Sequence, residues 1–546
     1  MTFNVKLKLI SAIILLAFSD AALAQNLVKD ALPAPRTAPA QETVELVGIK
    51  LQNAPAGMEA ELAAFASRRL VGVGAKSLQD MTAVAADMTE LFFKQRGEVF
   101  SRVYLPTQSL DPQTPVLTLA VLHGKLGKLR IEGESPIARE KLLRRLGVTE
   151  GSPLLVEKIE RGLLLLDDLP GVALDGVNAV PGANVGESDY TVNIRKERPL
   201  TGAVLGDNHG SEATGVNRFT AQLAWANPLN AGDELELGLT RSEKGLAASR
   251  LAYSFPFSVG DTQGWKASLA ATQIAYRLVG PNLSLLNAHG EAHSVNAAVT
   301  YPLIRSQDTN VGLLAQFTGQ TMTDNILDMR LNDKHSRAVI VGASGDLSRS
   351  WIAGAGASIL NWSANTTFGK LKILDADART ADAGGPKTAG SFARANVSAS
   401  MSQHLGTIHS ALSVYGALTA QYSPGNLDSS EKFVVAGPSA VRGYNQGEVT
   451  GDTGYVATGE LRLRLPQAKG TSASLYAFYD HGKARIWADQ WGSARNEQSI
   501  SAYGVGLTAL HTSGVFVTAT LSKGQGLNDA APHDNTFAWV QLGWRY

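Results

Sequence analysis

Between residues 43 and 198 apolar positions recur at helical spacing in some stretches and alternate in others, and the same succession of stretches occurs twice. In the first round, residues 44–51 predict a strand, 58–69 a short helix and 77–95 a longer helix. Ser77 stands as its cap, with Met81, Val84, Met88, Leu91 and Phe92 on one face. Gly97 ends that helix, and 99–105 and 115–122 read as strands. In the second round, 128–132 is a strand, 137–146 and 155–166 are helices, Pro170-Gly171 is a break, and 172–180 and 190–198 are strands. Two β-α-α-β-β modules in tandem are expected, at 43–124 and 125–198.

Beyond Pro199 the helical period gives way to strand-length alternation, which runs to the C-terminus. In GYVATGELRLRLPQ, Tyr455, Ala457, Leu461, Leu463 and Leu465 share one face and Thr458, Glu460, Arg462 and Arg464 the other. SLYAFYDHG repeats the pattern, with Leu475, Ala477 and Tyr479 outward and Ser474, Tyr476, Phe478 and Asp480 inward. A soluble sandwich alternates in the same way. The last residues favour a membrane barrel instead: TFAWVQLGWRY places Ala538, Val540, Leu542, Trp544 and Tyr546 on one face, an aromatic-tipped strand suited to a bilayer interface. Residues 199–546 allow about sixteen strands at roughly 10 membrane residues each, plus turns and loops. The expected fold is thus mainly β, a transmembrane antiparallel β-barrel preceded by two small mixed modules.

The N-terminus fits export. Lys6 and Lys8 precede an apolar run and then Ala22-Leu23-Ala24, which reads as a signal peptide over 1–24 with cleavage near Ala24. Residues 25–42 are rich in Ala and Pro and read as a linker. No later run is long and apolar enough for a spanning helix. The chain has no cysteine, which excludes disulfides and thiol chemistry, and its 49 basic and 49 acidic residues give no argument for a nucleic-acid partner.

Signal peptide, two modules and barrel together resemble the outer-membrane transporters of two-partner secretion, the TpsB family that includes the exporters of filamentous haemagglutinin and haemolysin. The sharpest residues of the resemblance are Val441, Arg442, Gly443 and Tyr444, followed by Gly451-Asp452 and by Glu460-Leu461-Arg462. A second motif, Phe-x-Asp-x-Gly on the inner wall, matches Phe478, Asp480 and Gly482. The resemblance implies that the modules are POTRA domains, that the protein sits in the outer membrane of a Gram-negative bacterium with those domains in the periplasm, and that it exports an unfolded partner. That partner would be a large exoprotein of the adhesin or cytolysin class with an N-terminal secretion domain. Outer-membrane lipid and the barrel-assembly machinery that inserts the chain are the other implied partners. The chain departs from the family at Gly437-Pro438, where Gly-Gly is usual, so the family's backbone path is not carried over there. Residues 25–42 are also too few for both a plug helix and a long linker, so a short or missing plug is expected.

The segment between about Pro424 and Gly454 exceeds ordinary connection lengths, which marks it as functional or disordered. Arg442 within it suits a bidentate pair with the inward-facing Asp480. No catalytic, metal or cofactor site is expected. GxSxG and HExxH are absent, and GGPKT at 384–388 lacks phosphate-loop spacing. His289 and His293 would lie roughly 13 Å apart on a strand, too far to share a metal, although a loop could bring them together. Gly504 and Gly506 read as sites of close barrel packing or bending. Two rival functions are kept: an assembly factor of the same superfamily, which usually carries three or five POTRA domains, and a passive porin, which leaves the modules and the long loop without a role.

Overall fold

The computed structural model describes residues 43–98, 100–279, 284–327, 329–350, 356, 358–492, 495–526 and 536–546; the expected signal peptide, linker and plug region lie outside them. The chain divides into two compact units, one of residues up to Glu197 together with Asp261–Gln263, the other of Arg198–Gly260 and Gly264–Tyr546.

The first unit contains both modules. In the first, β1 (Gly48–Gln52), β2 (Arg102–Tyr104) and β3 (Val116–Leu122) form a sheet in the order β1-β3-β2, β1 parallel and β2 antiparallel to the central strand. The second repeats this order with β4 (Lys125–Gly133), β5 (Val172–Pro181) and β6 (Glu187–Lys196), as β4-β6-β5. Helices α1 (Glu59–Leu70) and α2 (Leu78–Met88) close the first core on Leu62, Leu70, Met81 and Met88. The second core is built by α3 (Arg139–Leu146) and α4 (Val156–Asp167) on Leu142, Leu146, Leu163 and Leu166.

Helix α2 starts where its capping residue predicts. The Ser77 hydroxyl accepts from Asp80 N, and the Asp80 carboxylate accepts from Ser77 N at 2.8 Å, a reciprocal box that stabilises a helix start by about 1 kcal/mol. The α-helix stops at Met88, earlier than expected, and continues as a π turn over Thr89–Phe93. The wider turn lets the Thr89 hydroxyl donate to Ala85 O and accept from Val103 N, joining helix to strand. It also rotates Leu91 to the surface, so Leu91 is not part of the buried face that Met81, Val84, Met88 and Phe92 form.

In the second unit sixteen strands close a barrel, each antiparallel to its neighbours. They are β7 (Leu200–Asp207), β8 (Arg218–Ala226), β9 (Glu234–Ser242), β10 (Leu246–Val259), β11 (Thr262–Arg277), β12 (His289–Arg305), β13 (Thr309–Ile326), β14 (Met329–Arg349), β15 (Ser358–Ile373), β16 (Gly390–His404) and β17 (Leu412–Tyr422). After a two-stranded hairpin, β18 (Phe433–Val434) with β19 (Thr450–Gly451), come β20 (Thr453–Arg464), β21 (Thr471–Arg485), β22 (Glu497–His511), β23 (Val515–Gly526) and β24 (Thr536–Arg545). One end carries short turns, such as 306–308 and 512–514. The other carries long connections, including 423–452 and one holding helix α5 (Ala376–Gly384).

Alternation places the side chains as the sequence predicts. Leu461, Leu463, Leu475, Tyr479, Val540, Leu542, Trp544 and Tyr546 are exposed on the outer face, whereas Glu460, Tyr476, Phe478 and Asp480 are buried inside. Near the short-turn end Tyr253, Phe255, Phe257, Trp265 and Tyr301 form a continuous row of ring contacts across three strands, as an interfacial girdle requires. Closure is uneven. β13 and β14 pair from Thr309↔Leu347 to Ile326↔Met329, but β24 meets β7 only from Gln541↔Asp207 to Arg545↔Ala203. Beyond that seam Asn208 bonds through backbone and side chain together: its N–H donates to Val540 O at 3.2 Å, and its side-chain amide donates to Ala538 O and accepts from Val540 N, both at 2.7 Å.

Candidate functional site

The connection between β17 and β20 folds into the barrel, and polar contacts hold it from base to tip. At its base Lys432 Nζ bonds Asp452 Oδ1 and Ile486 O, both at 2.5 Å, and lies 3.6 Å from the Trp487 ring centroid. Asp452 is fully buried, and its other oxygen accepts from Ala488 N at 2.8 Å. Burial pushes the Lys432 ammonium below its ordinary range, and Asp452 opposes that shift. Two more ion pairs fasten the outgoing limb to distant strands, Asp428 to Lys334 of β14 at 2.6 Å and Glu431 to Arg394 of β16 at 2.8 Å.

The tip turns sharply. Gly437 takes a φ of +131°, which its lack of Cβ permits, and its N–H donates to Val441 O at 3.1 Å. Gly437-Pro438 therefore forms a tight turn that delivers Val441 back onto Val435, whose carbonyl accepts from Val441 N at 3.0 Å.

Arg442 follows at once, and its donors are directed at carboxylates of the inner wall. Nε and Nη2 grip the two oxygens of Asp480 at 2.7 and 2.8 Å, and Nη1 bonds Glu460 Oε1 at 2.8 Å. The guanidinium carbon lies 3.4 Å from the Phe478 ring centroid, so the cation stacks on an aromatic face. Asp480, fully buried, also accepts from Thr458 Oγ1 at 2.9 Å. Glu460 is shared with Arg462 at 2.8 Å. Burial alone lowers the pKa of Arg442, but Asp480 and Glu460 outweigh it and hold the guanidinium above its usual value. The carbonyl of Arg442 is held too, accepting from Ser522 Oγ at 2.6 Å and Trp539 Nε1 at 2.7 Å. Residue 442 thus joins β20 and β21 through its side chain and β23 and β24 through its backbone.

The glycines of both motifs make room for this contact. A methyl group on Gly443 would overlap Gly524 of β23, and one on Gly482 would overlap Val435 and lie 2.9 Å from Val441 Cγ2. Val441, Tyr444 and Val435 are accordingly buried against Ala484, Ile500 and Ala502. Gly504 and Gly506 serve the same end on β22, since an added Cβ would sit 2.7 Å from Phe478 and would overlap Tyr476. The rings lie across bare backbone, which lets Phe478 present its face to Arg442.

The structure brings Val441, Arg442, Gly443, Tyr444, Phe478, Asp480 and Gly482 into one cluster. Sequence reasoning missed Ser522 and Trp539, which are 80 and 97 residues from Arg442. It also missed the pairing of Lys432 with Asp452, and Glu460 as a second carboxylate, although alternation had already turned Glu460 inward. His289 and His293 both lie on the strand β12, and His293 Nε2 stands 3.4 Å from Glu291. Among the described residues no group of three potential ligands could hold a metal, and no helix is long and apolar enough to cross a membrane.

Comparison with known proteins extends this reading. The chain is 24% identical over 466 residues to the heme/hemopexin transporter protein HuxB of Haemophilus influenzae, covering 84% of this chain and 80% of that one. It is 25% identical over 398 residues to the outer membrane transporter CdiB of Dickeya dadantii, covering 72% and 67%. The solved structure of CdiB from Escherichia coli superposes with a TM-score of 0.76 at 20% identity, over 94% of this chain and 93% of that one, a likeness of fold. The pattern of the haemolysin secretion/activation protein family ShlB/FhaC/HecB matches residues 186–509 of the 546. The chain belongs to that family and is an outer-membrane transporter of the two-partner secretion type.

Proposed function

We propose that this transporter passes one large, unfolded secreted protein through its barrel, and that the 423–452 connection is the movable element of the path, locked at rest by Arg442. The observation that carries the reading is the grip of Arg442 on Asp480 and Glu460 inside a closed barrel. A bidentate arginine pair fixes position and can be exchanged for water when a client chain competes for the lumen. The two modules, 43–124 and 125–198, act as POTRA-type receptors. In support, β2 and β5 stand at sheet edges, where an extended segment can add a strand by backbone pairing.

The test is deletion of the gene followed by analysis of the medium and the outer membrane. One large exoprotein is expected to disappear from the medium while other barrels keep their abundance. Unchanged secretion together with depleted outer-membrane barrels replaces this reading with the assembly-factor one.

A further inference from the structure

The outer face of β14 and β15 carries three cations, Arg337, Lys370 and Lys372, that no carboxylate of the described residues pairs with. In register across three strands, Val339 lies opposite Phe317 of β13 and Phe368 of β15, all exposed, which marks the apolar belt. Two residues nearer the long-loop end, Arg337 lies directly opposite Lys370. Two further on, His335 lies opposite Lys372. Alternation from Val339 and Phe368 puts all four on the outer face, and the residues between them, Ser336 and Leu371, are buried. At about 3.4 Å of rise per residue, the Arg337–Lys370 row stands roughly 7 Å beyond the apolar belt. That is the level of lipid headgroups on the side of the long loops, which in an outer-membrane barrel is the outer leaflet.

Like charges directly opposite on neighbouring strands repel. Among the described residues, no ion pair joins Arg337, Lys370 or Lys372 to a carboxylate. Of the nearby acids Asp333 is paired with Arg330 at 2.9 Å, and its other oxygen lies 3.9 Å from His335 of the same row, while Glu291 lies 3.4 Å from His293. Lys334, on the same strand but facing inward, has its counter-ion in Asp428. Beside Arg337 on β13 stands Gly319, where an added Cβ would meet only the Phe317 ring at 3.8 Å, so the surface there is notched.

We infer that Arg337, Lys370 and Lys372 form a binding site for the phosphorylated headgroup of an outer-leaflet lipid. The notch at Gly319 admits the headgroup and the Val339–Phe317–Phe368 row takes its acyl chains. Continuity of cations with an apolar row favours a lipid over a soluble anion, which gains nothing from the second part. Adjacent Lys and Arg at a membrane surface attract anionic lipid additively.

The experiment uses the full chain in nanodiscs of zwitterionic phospholipid, with diphosphoryl lipid A as probe and native mass spectrometry to count bound lipid. The triple variant Arg337→Gln/Lys370→Gln/Lys372→Gln is expected to bind roughly a hundredfold more weakly, since each surface cation is worth about fivefold. Lys370→Arg/Lys372→Arg, which keeps the charge, is expected to bind as the wild type does. Inorganic phosphate at matched concentration is expected to displace nothing. Undiminished binding by the triple variant overturns the site, and so does loss of binding in the charge-keeping variant. Displacement by inorganic phosphate overturns its assignment to lipid. Should the triple variant not fold, Arg337→Gln and Lys370→Gln singly, each roughly fivefold weaker, decide the same question.

Discussion

Two arginines of the same barrel live under opposite conditions. Arg442 is buried in the lumen with two carboxylates, an aromatic face and two donors on its carbonyl, whereas Arg337 stands on the outer surface facing a lysine. The first site is complete within the chain; the second needs something the chain does not contain. Where Arg442 is buried, a cation survives only if its counter-charges are built in, and removing it strands Asp480. Outside, an unmatched cation costs little in water or among headgroups and remains free to bind.

The sharpest way to break this contrast is Arg442→Ala. It strands the buried Asp480, leaves Glu460 to Arg462 alone, and is expected to destabilise the folded-in state of the loop by about 3–5 kcal/mol. The barrel should still run as a heat-modifiable band, the 423–452 segment should become protease-sensitive on intact cells, and export should fall. Normal export at wild-type barrel levels removes the lock from the mechanism. Next comes Lys432→Met, which leaves Asp452 only Ala488 N and the backbone around it. A loss of about 1.5–3 kcal/mol is expected, read by the same proteolysis but with cleavage near the loop base. Phe478→Leu keeps both carboxylates and removes the stacked face together with part of the ring's packing over Gly504. It should weaken the loop contact by about 1 kcal/mol and leave export partly intact. Smallest of all, Arg337→Gln in a purely zwitterionic membrane should change thermal stability by less than about 0.5 kcal/mol, since it only relieves a repulsion. A large loss there would mean that Arg337, like Arg442, is served from within.

Much of the architecture could be read from the chain because alternation in a barrel is nearly a direct record of lumen and lipid. Tyr476, Phe478 and Asp480 were assigned inward and Leu475 and Tyr479 outward from nine residues, and the burial agrees. Arg442 and Asp480 were legible as a pair because alternation turns Asp480 inward and both residues stand in the motifs of the family resemblance. Ser522, Trp539 and the Arg337–Lys370 pair were not. Each depends on the register between strands, which is set by hydrogen-bond ladders and turns and leaves no local trace in the sequence. Leu91 was misplaced for a related reason. One extra residue in the turn over Thr89–Phe93 rotates everything after it, and helical spacing alone does not reveal where such a turn falls.

Asn208 has a mechanical consequence. Where β24 meets β7, the backbone pairing finishes with Asn208 N to Val540 O, and the two remaining contacts belong to one amide side chain, clasping Ala538 O and Val540 N on either side of Trp539. A ladder opens only by peeling residue after residue, but a side chain lets go by a single bond rotation, on a timescale of picoseconds to nanoseconds when it is exposed. At that corner the circumference of the cylinder is fastened by a latch, and the tryptophan that holds the loop's arginine hangs beside it.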